Sequence, residues 1–306
     1  MQIKVKKITQ LTGHNGAIYS IVEGEAKHFM LSAAGDGWVV QWDLAAPEVG
    51  RLIAKASKNI YAMCYVLKPL QRLILGDMDG GLHWISLKNP DNQTNIAFHK
   101  NGIFDIQNID NQIITIGGDG VLARWNIEKQ RTTESLQLSN QSLRCMAYSG
   151  VRNELAVGSS DRNIYILDAN TLTLKTTIES AHNNSVFSLQ YSPDGKHLLS
   201  SGRDALLRVW DLEQNFDMIS SQAAHLYTIN KIVFHPEGKI FATASRDKSI
   251  KVWDSTTFEL LKVIDTLRSG CHVNSVNTLY WSPFNNWLIS GSDDRSAMIW
   301  EIDVSE

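Results

Sequence analysis

The sequence is poor in several things, and each shortage excludes something. There are three cysteines, Cys64, Cys145 and Cys271, odd in number and far apart. That pattern argues against a disulfide framework or a zinc knuckle and points to a reducing compartment, here the cytoplasm. No apolar run approaches the roughly 18 residues of a membrane helix. The first residues, Met1 to Leu11, alternate apolar and polar side chains, so they read as a strand and not as a leader. Neither charge dominates: 29 Lys and Arg face 32 Asp and Glu, a formal net charge of −3. Such a chain has no general attraction for phosphate backbones or anionic lipid, so neither nucleic acid nor membrane is the expected partner. Sustained 3.6-residue periodicity is missing, and helix should be nearly absent. Three glycosylation sequons, at Asn92, Asn140 and Asn183, read as chance matches in a chain without a secretion signal.

What is present is a repeat. Segment 201–211 aligns on segment 245–254 with an Asp six residues before a Trp in both. The spacing recurs at Asp36/Trp42, Asp119/Trp125, Asp204/Trp210, Asp247/Trp253 and Asp294/Trp300, while two further copies keep Asp79 and Asp161 but carry Ile85 and Leu167 in place of Trp. The seven aspartates stand 43, 40, 42, 43, 43 and 47 residues apart, the period of a four-stranded propeller blade at about 40–45 residues. Each period holds short alternating strands and tight turns. In the fifth copy 185–191, 197–200 and 206–210 read as strands, with 172–178 as a fourth ahead of them. Hydrophobic residues at 43% supply a large core. The expected fold is all-β: a single seven-bladed β-propeller of four-stranded antiparallel blades over residues 1–306. The last copy stops three strands in, near Val304, and the strand Ile3 to Ile8 has no blade of its own. Pairing the two would remove two exposed edges and close the ring.

A Gly-His type dipeptide opens five copies (Gly13-His14, Phe98-His99, Ala181-His182, Ala224-His225, Cys271-His272), and Trp-Asp or a variant closes them (Trp42-Asp43, Trp125-Asn126, Trp210-Asp211, Trp253-Asp254, Trp300-Glu301). With these signatures in register over essentially the whole chain, the sequence resembles the Trp-Asp (WD) repeat propellers. The resemblance implies a buried hydrogen-bond set in each complete blade: His14/Ser32/Asp36/Trp42, His99/Thr115/Asp119/Trp125, His182/Ser200/Asp204/Trp210, His225/Thr243/Asp247/Trp253 and His272/Ser290/Asp294/Trp300. Copies two and four depart from it, with Leu75 and Val157 in place of the hydroxyl and no aligned His. Apolar packing is expected to hold those two blades.

Five groupings of His, Asp and Ser invite a catalytic reading, but a nucleophile needs an exposed Ser in a pocket and these recur at buried repeat positions. The Gly-rich turns 76–81 and 117–120 lack the Lys-Ser/Thr of a phosphate loop. Asp77 and Asp79 match the start of a calcium loop, but Gly81 takes the third position and the distal Glu is missing. His28, His83, His197 and His235 have no zinc-ligand spacing and read as ordinary surface or strand residues. Neither enzymatic activity, nor a cofactor, nor a metal is expected.

The resemblance puts partner contacts around the central channel, at the end carrying the His loops and Asp turns. The fifth residue after each His position is Tyr19, Tyr61, Phe104, Arg144, Phe187, Asn230 or Asn277, and the residue before each Asp is Gly35, Met78, Gly118, Ser160, Arg203, Arg246 or Asp293. The candidate partner-binding residues are Tyr19, Tyr61, Met78, Phe104, Arg144, Phe187, Arg203 and Arg246, types that dominate interface hot spots. Their chain order predicts an apolar arc in the first three blades and a cationic arc in blades four to six. Such a site suits a protein or peptide with an apolar anchor beside an acidic or phosphorylated group. A competing reading has some of the aromatics merely packing between blades. The expected function is a non-enzymatic scaffold or adaptor for protein partners. The alternative is an RNA-associated propeller within a ribonucleoprotein complex, stacking bases on the same side chains.

Overall fold

The structure, a computed structural model, describes residues 2–67, 71–89 and 93–305; the sequon residue Asn92 lies outside them. Its strands form seven four-stranded antiparallel sheets. Blades 1 to 6 cover 18–55, 60–97, 103–137, 143–178, 186–223 and 229–264, and blade 7 joins 276–305 to the N-terminal strand Gln2–Thr12. The N-terminal strand runs antiparallel to Ser296–Ser305, from the pair Gln2 and Ser305 to the pair Thr12 and Ser296, with one register shift between Lys7 and Thr9. One sheet therefore holds both chain ends, and the ring closes.

The sequence copy and the sheet are offset by one strand. Strand Leu174–Ile178, read above as the start of the fifth copy, pairs with Ile164–Asp168 and so completes blade 4. The offset puts each loop His on the connection between blades. The third strand of blade 5, expected to end at Trp210, runs one residue further as Leu206–Asp211, because Asp211 still pairs with His197 on one side and with Asp217 on the other.

Burial explains the strand composition. Inner strands such as Glu154–Ser159 and Ile240–Ser245 are buried at every position because a neighbouring blade covers each face, so small and β-branched residues run without polar alternation. The outermost strand Arg131–Gln137 alternates and carries the polar side chains. No blade has a core of its own. Each of the seven hydrophobic clusters lies between consecutive blades, for example Leu31, Ile60 and Leu73 between blades 1 and 2, or Leu11, Ile18 and Ile299 between blades 7 and 1.

Each blade passes from its second to its third strand through the Asp turn, and the next residue is left-handed. Blades 1 to 3 place Gly37, Gly80 and Gly120 there, at φ of 76°, 91° and 79°. A Cβ at these glycines would run into the backbone carbonyls of Ala56, His99 and Ser139. Blades 4 to 7 put Arg162, Ala205, Lys248 and Arg295 at the same place, at φ of 81°, 61°, 71° and 68°. That conformation costs an L-residue with a Cβ roughly 1–2 kcal/mol. The α-helix, Thr266–Ser269, is capped by the Asp265 side chain and closed by left-handed Gly270. It sits in the loop before blade 7 and accounts for the longest of the six spacings.

Candidate functional site

All five complete sets form a continuous relay. The Trp indole donates to the hydroxyl oxygen at 2.8–3.0 Å, the hydroxyl meets His Nε2 at 2.8–2.9 Å, and His Nδ1 meets the Asp carboxylate at 2.8–3.1 Å. Indole is donor-only, so each hydroxyl accepts from its Trp and can give its own proton to Nε2, with the Nδ1 proton then on the carboxylate. A neutral imidazole protonated on Nδ1 satisfies this pattern. Burial lowers the pKa of His14, His99 and His225 and outweighs the acid beside each. Burial alone would raise the carboxyls of Asp119, Asp204, Asp247 and Asp294, but hydrogen bonds from the histidine and from backbone amides hold them below the ordinary range. The hydroxyls of Ser32, Thr115, Ser200, Thr243 and Ser290 are wholly buried and engaged on both sides, so none can serve as a nucleophile.

All five indoles are buried: Trp42, Trp125, Trp253 and Trp300 are at most 2% exposed and Trp210 is 5% exposed. Its relay is intact, with Trp210 Nε1 donating to Ser200 Oγ at 2.8 Å. Trp125 and Trp253 have the large rings of Phe98 and Phe241 against them, and Trp210 packs in the cluster between blades 4 and 5.

Blades 2 and 4 also correct the sequence reading. They are not held by apolar packing alone, although Ile85 and Leu167 do pack in interblade clusters. In blade 4, Ser139 stands at the His position, and both it and Tyr165 donate to Asp161. In blade 2 the buried acid is Asp77, two residues before the aligned Asp79. Asp77 accepts from the amides of Asp79 and Gly81 and meets His83 Nε2 at 2.8 Å. Asp79 is exposed instead, paired with Lys58 at 2.8 Å. His83 is therefore no ordinary strand residue. It and Tyr165 occupy the same position on the third strand, four residues after the aligned Asp, and supply the donor that the missing loop His would have given. Trp84, one residue before Ile85, faces blade 3 and packs beside Trp125 at 6.3 Å, fully buried with no partner for its indole N–H.

At the end bearing the His loops and Asp turns, the channel opens into a cavity of about 550 Å³. Its lining includes Tyr19, Tyr61, Phe104, Arg144, Phe187, Asn230 and Asn277, one from the same repeat position of each blade. These side chains join into two different walls. Tyr19 meets Tyr61 edge-on at 5.1 Å, Tyr61 stacks on Phe104 at 5.7 Å, and the Arg144 guanidinium lies over Phe104 at 4.2 Å and over Phe187 at 5.5 Å. Arg144 Nε also donates to Ser160 Oγ at 2.9 Å. On the other wall Asn230 donates to the Val276 carbonyl at 2.8 Å and Asn277 to the Ile18 carbonyl at 3.2 Å, each tying the next blade.

The expected division into apolar and cationic arcs does not hold. Arg144 lies inside the aromatic run, between two phenyl rings, because ring neighbours interleave whatever their class. Met78, Arg203 and Arg246 do not line the cavity; they stand exposed on the rim turns. The aromatics also do both things proposed for them, packing between blades while remaining half-buried at the mouth.

Behind the mouth the sequence reading missed two titratable side chains in the cavity lining, Asp105 and Lys231. Burial pushes the Asp105 carboxyl up, against the opposing effects of Lys231 and of the Met146 amide that donates to it at 2.8 Å. Both residues follow a mouth residue by one, the only signal that could have found them. Burial and the nearby Asp105 push the Cys64 thiol up to about 12 and the Cys145 thiol up as well, so neither is a reactive thiolate. Among the described residues no group of three or more His, Cys, Asp or Glu is placed to hold a metal ion.

Seven sheets closed into a ring, five of them pinned by an indole-to-carboxylate relay, define a β-propeller of Trp-anchored repeats. The family model "WD domain, G-beta repeat" matches residues 5–43, 173–211, 217–254 and 261–301, more than half of the sequence, and the chain belongs to the WD-repeat family. The matched segments leave out blades 2 and 3 and all of blade 4 but its outer strand, although blade 3 carries a complete relay. The chain is 25% identical over 305 residues to Protein tipD of Dictyostelium discoideum, covering 97% of itself and 49% of that protein. It is 28% identical over 219 residues to Ribosome biogenesis protein ytm1 of Botryotinia fuckeliana (strain B05.10), covering 68% of itself and 42% of that protein. It thus spans about half or less of these relatives' length. Among solved structures, the WD40 β-propeller domain of Doa1 shares the fold with a TM-score of 0.84 at 19% identity, over 97% of both chains.

Proposed function

We propose that this chain is a non-enzymatic scaffold that takes a protein or peptide segment at the channel mouth, seating an apolar side chain of the partner against Tyr19, Tyr61, Phe104 and Phe187. The observation that carries the reading is the pre-stacked wall. Rings already held by one another and by Arg144 lose little freedom when a partner arrives, so the area they offer converts efficiently into affinity. WD-repeat propellers generally act as platforms for other proteins, and the name of ytm1 connects that relative with ribosome assembly. The reading puts the protein in the cytoplasm, since Cys64, Cys145 and Cys271 are all free thiols.

The test is affinity capture from lysate with quantitative mass spectrometry, comparing wild type with the Tyr61→Ala, Phe104→Ala double variant. Hot-spot truncation of about 2 kcal/mol or more should deplete specific partners roughly 30-fold while the variant still melts cooperatively. Undiminished capture by a folded variant would reject the site.

A further inference from the structure

The seven blades act as controls for one another at the rim, because each presents the same loop and turn. The amide following the loop histidine donates to the turn Asp in every complete blade: Asn15, Lys100, Asn183, Leu226 and Val273 bond Asp36, Asp119, Asp204, Asp247 and Asp294 at 2.7–3.2 Å. The backbone requirement is therefore met identically whatever the side chain. Three blades use a polar residue there, as solvent favours. Adjacent blades 6 and 7 instead expose Leu226 at 84% and Val273 at 58%, and Tyr227 beside Leu226 is 61% exposed. Nothing in the loop geometry explains that choice.

The turns on the same half of the face add a second, independent departure. In blades 1 to 3 both neighbours of the turn Asp are uncharged: Gly35 and Gly37, Met78 and Gly80, Gly118 and Gly120. Blades 4 and 5 carry one exposed cation each, Arg162 and Arg203, whereas blade 6 carries two, Arg246 and Lys248, and in adjacent blade 7 Arg295 follows the Asp. Lys248 and Arg295 hold the left-handed conformation that glycine adopts freely, so the chain accepts strain to present a cation. The three cations of blades 6 and 7 are exposed, and no ion pair or side-chain hydrogen bond among the described residues takes them up. Asp293, the acid on these turns that is not in a relay, accepts from Asn277 at 2.7 Å. Because Asp247 holds the Leu226 amide between Arg246 and Lys248, the apolar and cationic groups share one surface.

We propose that Leu226, Tyr227 and Val273, framed by Arg246, Lys248 and Arg295, dock an acidic peptide segment bearing apolar side chains. The inference rests on the reading of this face as protein-binding and names the charge of the partner. Interspersed apolar side chains favour a peptide over a nucleic-acid backbone, which would ask for continuous cations, and the net charge of −3 makes the positive rim a local feature rather than a general one.

The test is selection from a random 12-residue peptide phage library on the intact chain in about 0.15 M salt, near physiological ionic strength. Wild type should enrich peptides of net negative charge containing Leu, Ile, Val or Phe. The Arg246→Ser, Lys248→Gly, Arg295→Gly variant should lose at least 90% of their binding, as should Leu226→Ser, Tyr227→Ser. Lys248→Gly and Arg295→Gly should melt no lower than wild type, since glycine relieves the left-handed strain, so lost binding cannot be assigned to unfolding. Neutral or basic peptides, or acidic ones bound equally by the charge variant, would overturn the proposal. Peptides lost with Tyr61→Ala, Phe104→Ala but indifferent to the turns would leave the mouth site standing and remove this one; no enrichment at all would remove both. A 20-nucleotide oligo(U) bound by wild type in preference to the acidic peptides, and released by the same charge variant, would identify nucleic acid as the occupant and defeat the proposal.

Discussion

Blades 6 and 4 meet the same need with different chemistry. Each must hold a turn carboxylate against its sheet while burying the large residue at the end of the third strand. Blade 6 runs one relay from Trp253 through Thr243 and His225 to Asp247. Blade 4 puts Val157 and Leu167 where blade 6 has Thr243 and Trp253, and anchors Asp161 locally through Ser139 and Tyr165. A buried relay is all or nothing, since removing its centre orphans a donor on one side and an acceptor on the other. A local anchor loses one bond at a time.

The difference should appear most strongly in paired substitutions. Thr243→Val keeps shape but leaves the Trp253 indole and His225 Nε2 unpaired, and should cost roughly 2–5 kcal/mol in urea unfolding. Tyr165→Phe removes one of two side-chain donors to Asp161 and should cost about 1–2 kcal/mol. Equal costs would mean that the relay is no more cooperative than the local anchor.

A weaker handle on the same contrast is pH. His14, His99 and His225 have folded pKa values below the ordinary 6.5. The unfolded chain therefore takes up protons first as pH falls, and the stability of the neutral relays is present above about 6.5 and declines below it. The melting midpoint should change little from pH 7.5 to about 6.5 and fall from there to 5.5. A midpoint that stays level or rises over that interval would contradict the neutral assignment.

The smallest effect is expected at Trp84. Its indole N–H has no partner, so Trp84→Phe sacrifices packing but no hydrogen bond, whereas Trp125→Phe also strands Thr115. The first should be less destabilising than the second by about 1 kcal/mol, read from chemical denaturation of both variants.

The sequence made the ring of blades legible because an Asp–Trp spacing survives wherever the second and third strands keep their length, even where Trp itself is lost. Counting five residues from each His position reached all seven mouth residues for the same reason: the loop enters the innermost strand in the same register in every blade. Side-chain direction was beyond such counting. Met78, Arg203 and Arg246 share a repeat position near the channel, yet a turn residue points to the rim. In blade 2 two acids stand two residues apart, and alignment favoured Asp79. Only the cross-strand pairing of Leu75 with His83 shows that a donor lies diagonally across from Asp77, two residues along, and draws it inward. Trp84 escaped because it is one residue out of phase, and alternation along a strand then aims it at a different neighbour.

Closure through one shared sheet also sets a timetable for synthesis. Within the ring, the strand Gln2–Thr12 is synthesised before all the other strands and its partner Ser296–Ser305 after them. At translation rates of about 5–20 residues per second, the early strand waits on the order of 15–60 s with an unsatisfied edge. Its Lys4, Lys6 and Lys7 are the kind of residues that discourage another chain from pairing there, so the nascent protein keeps its own seam open until the last blade arrives.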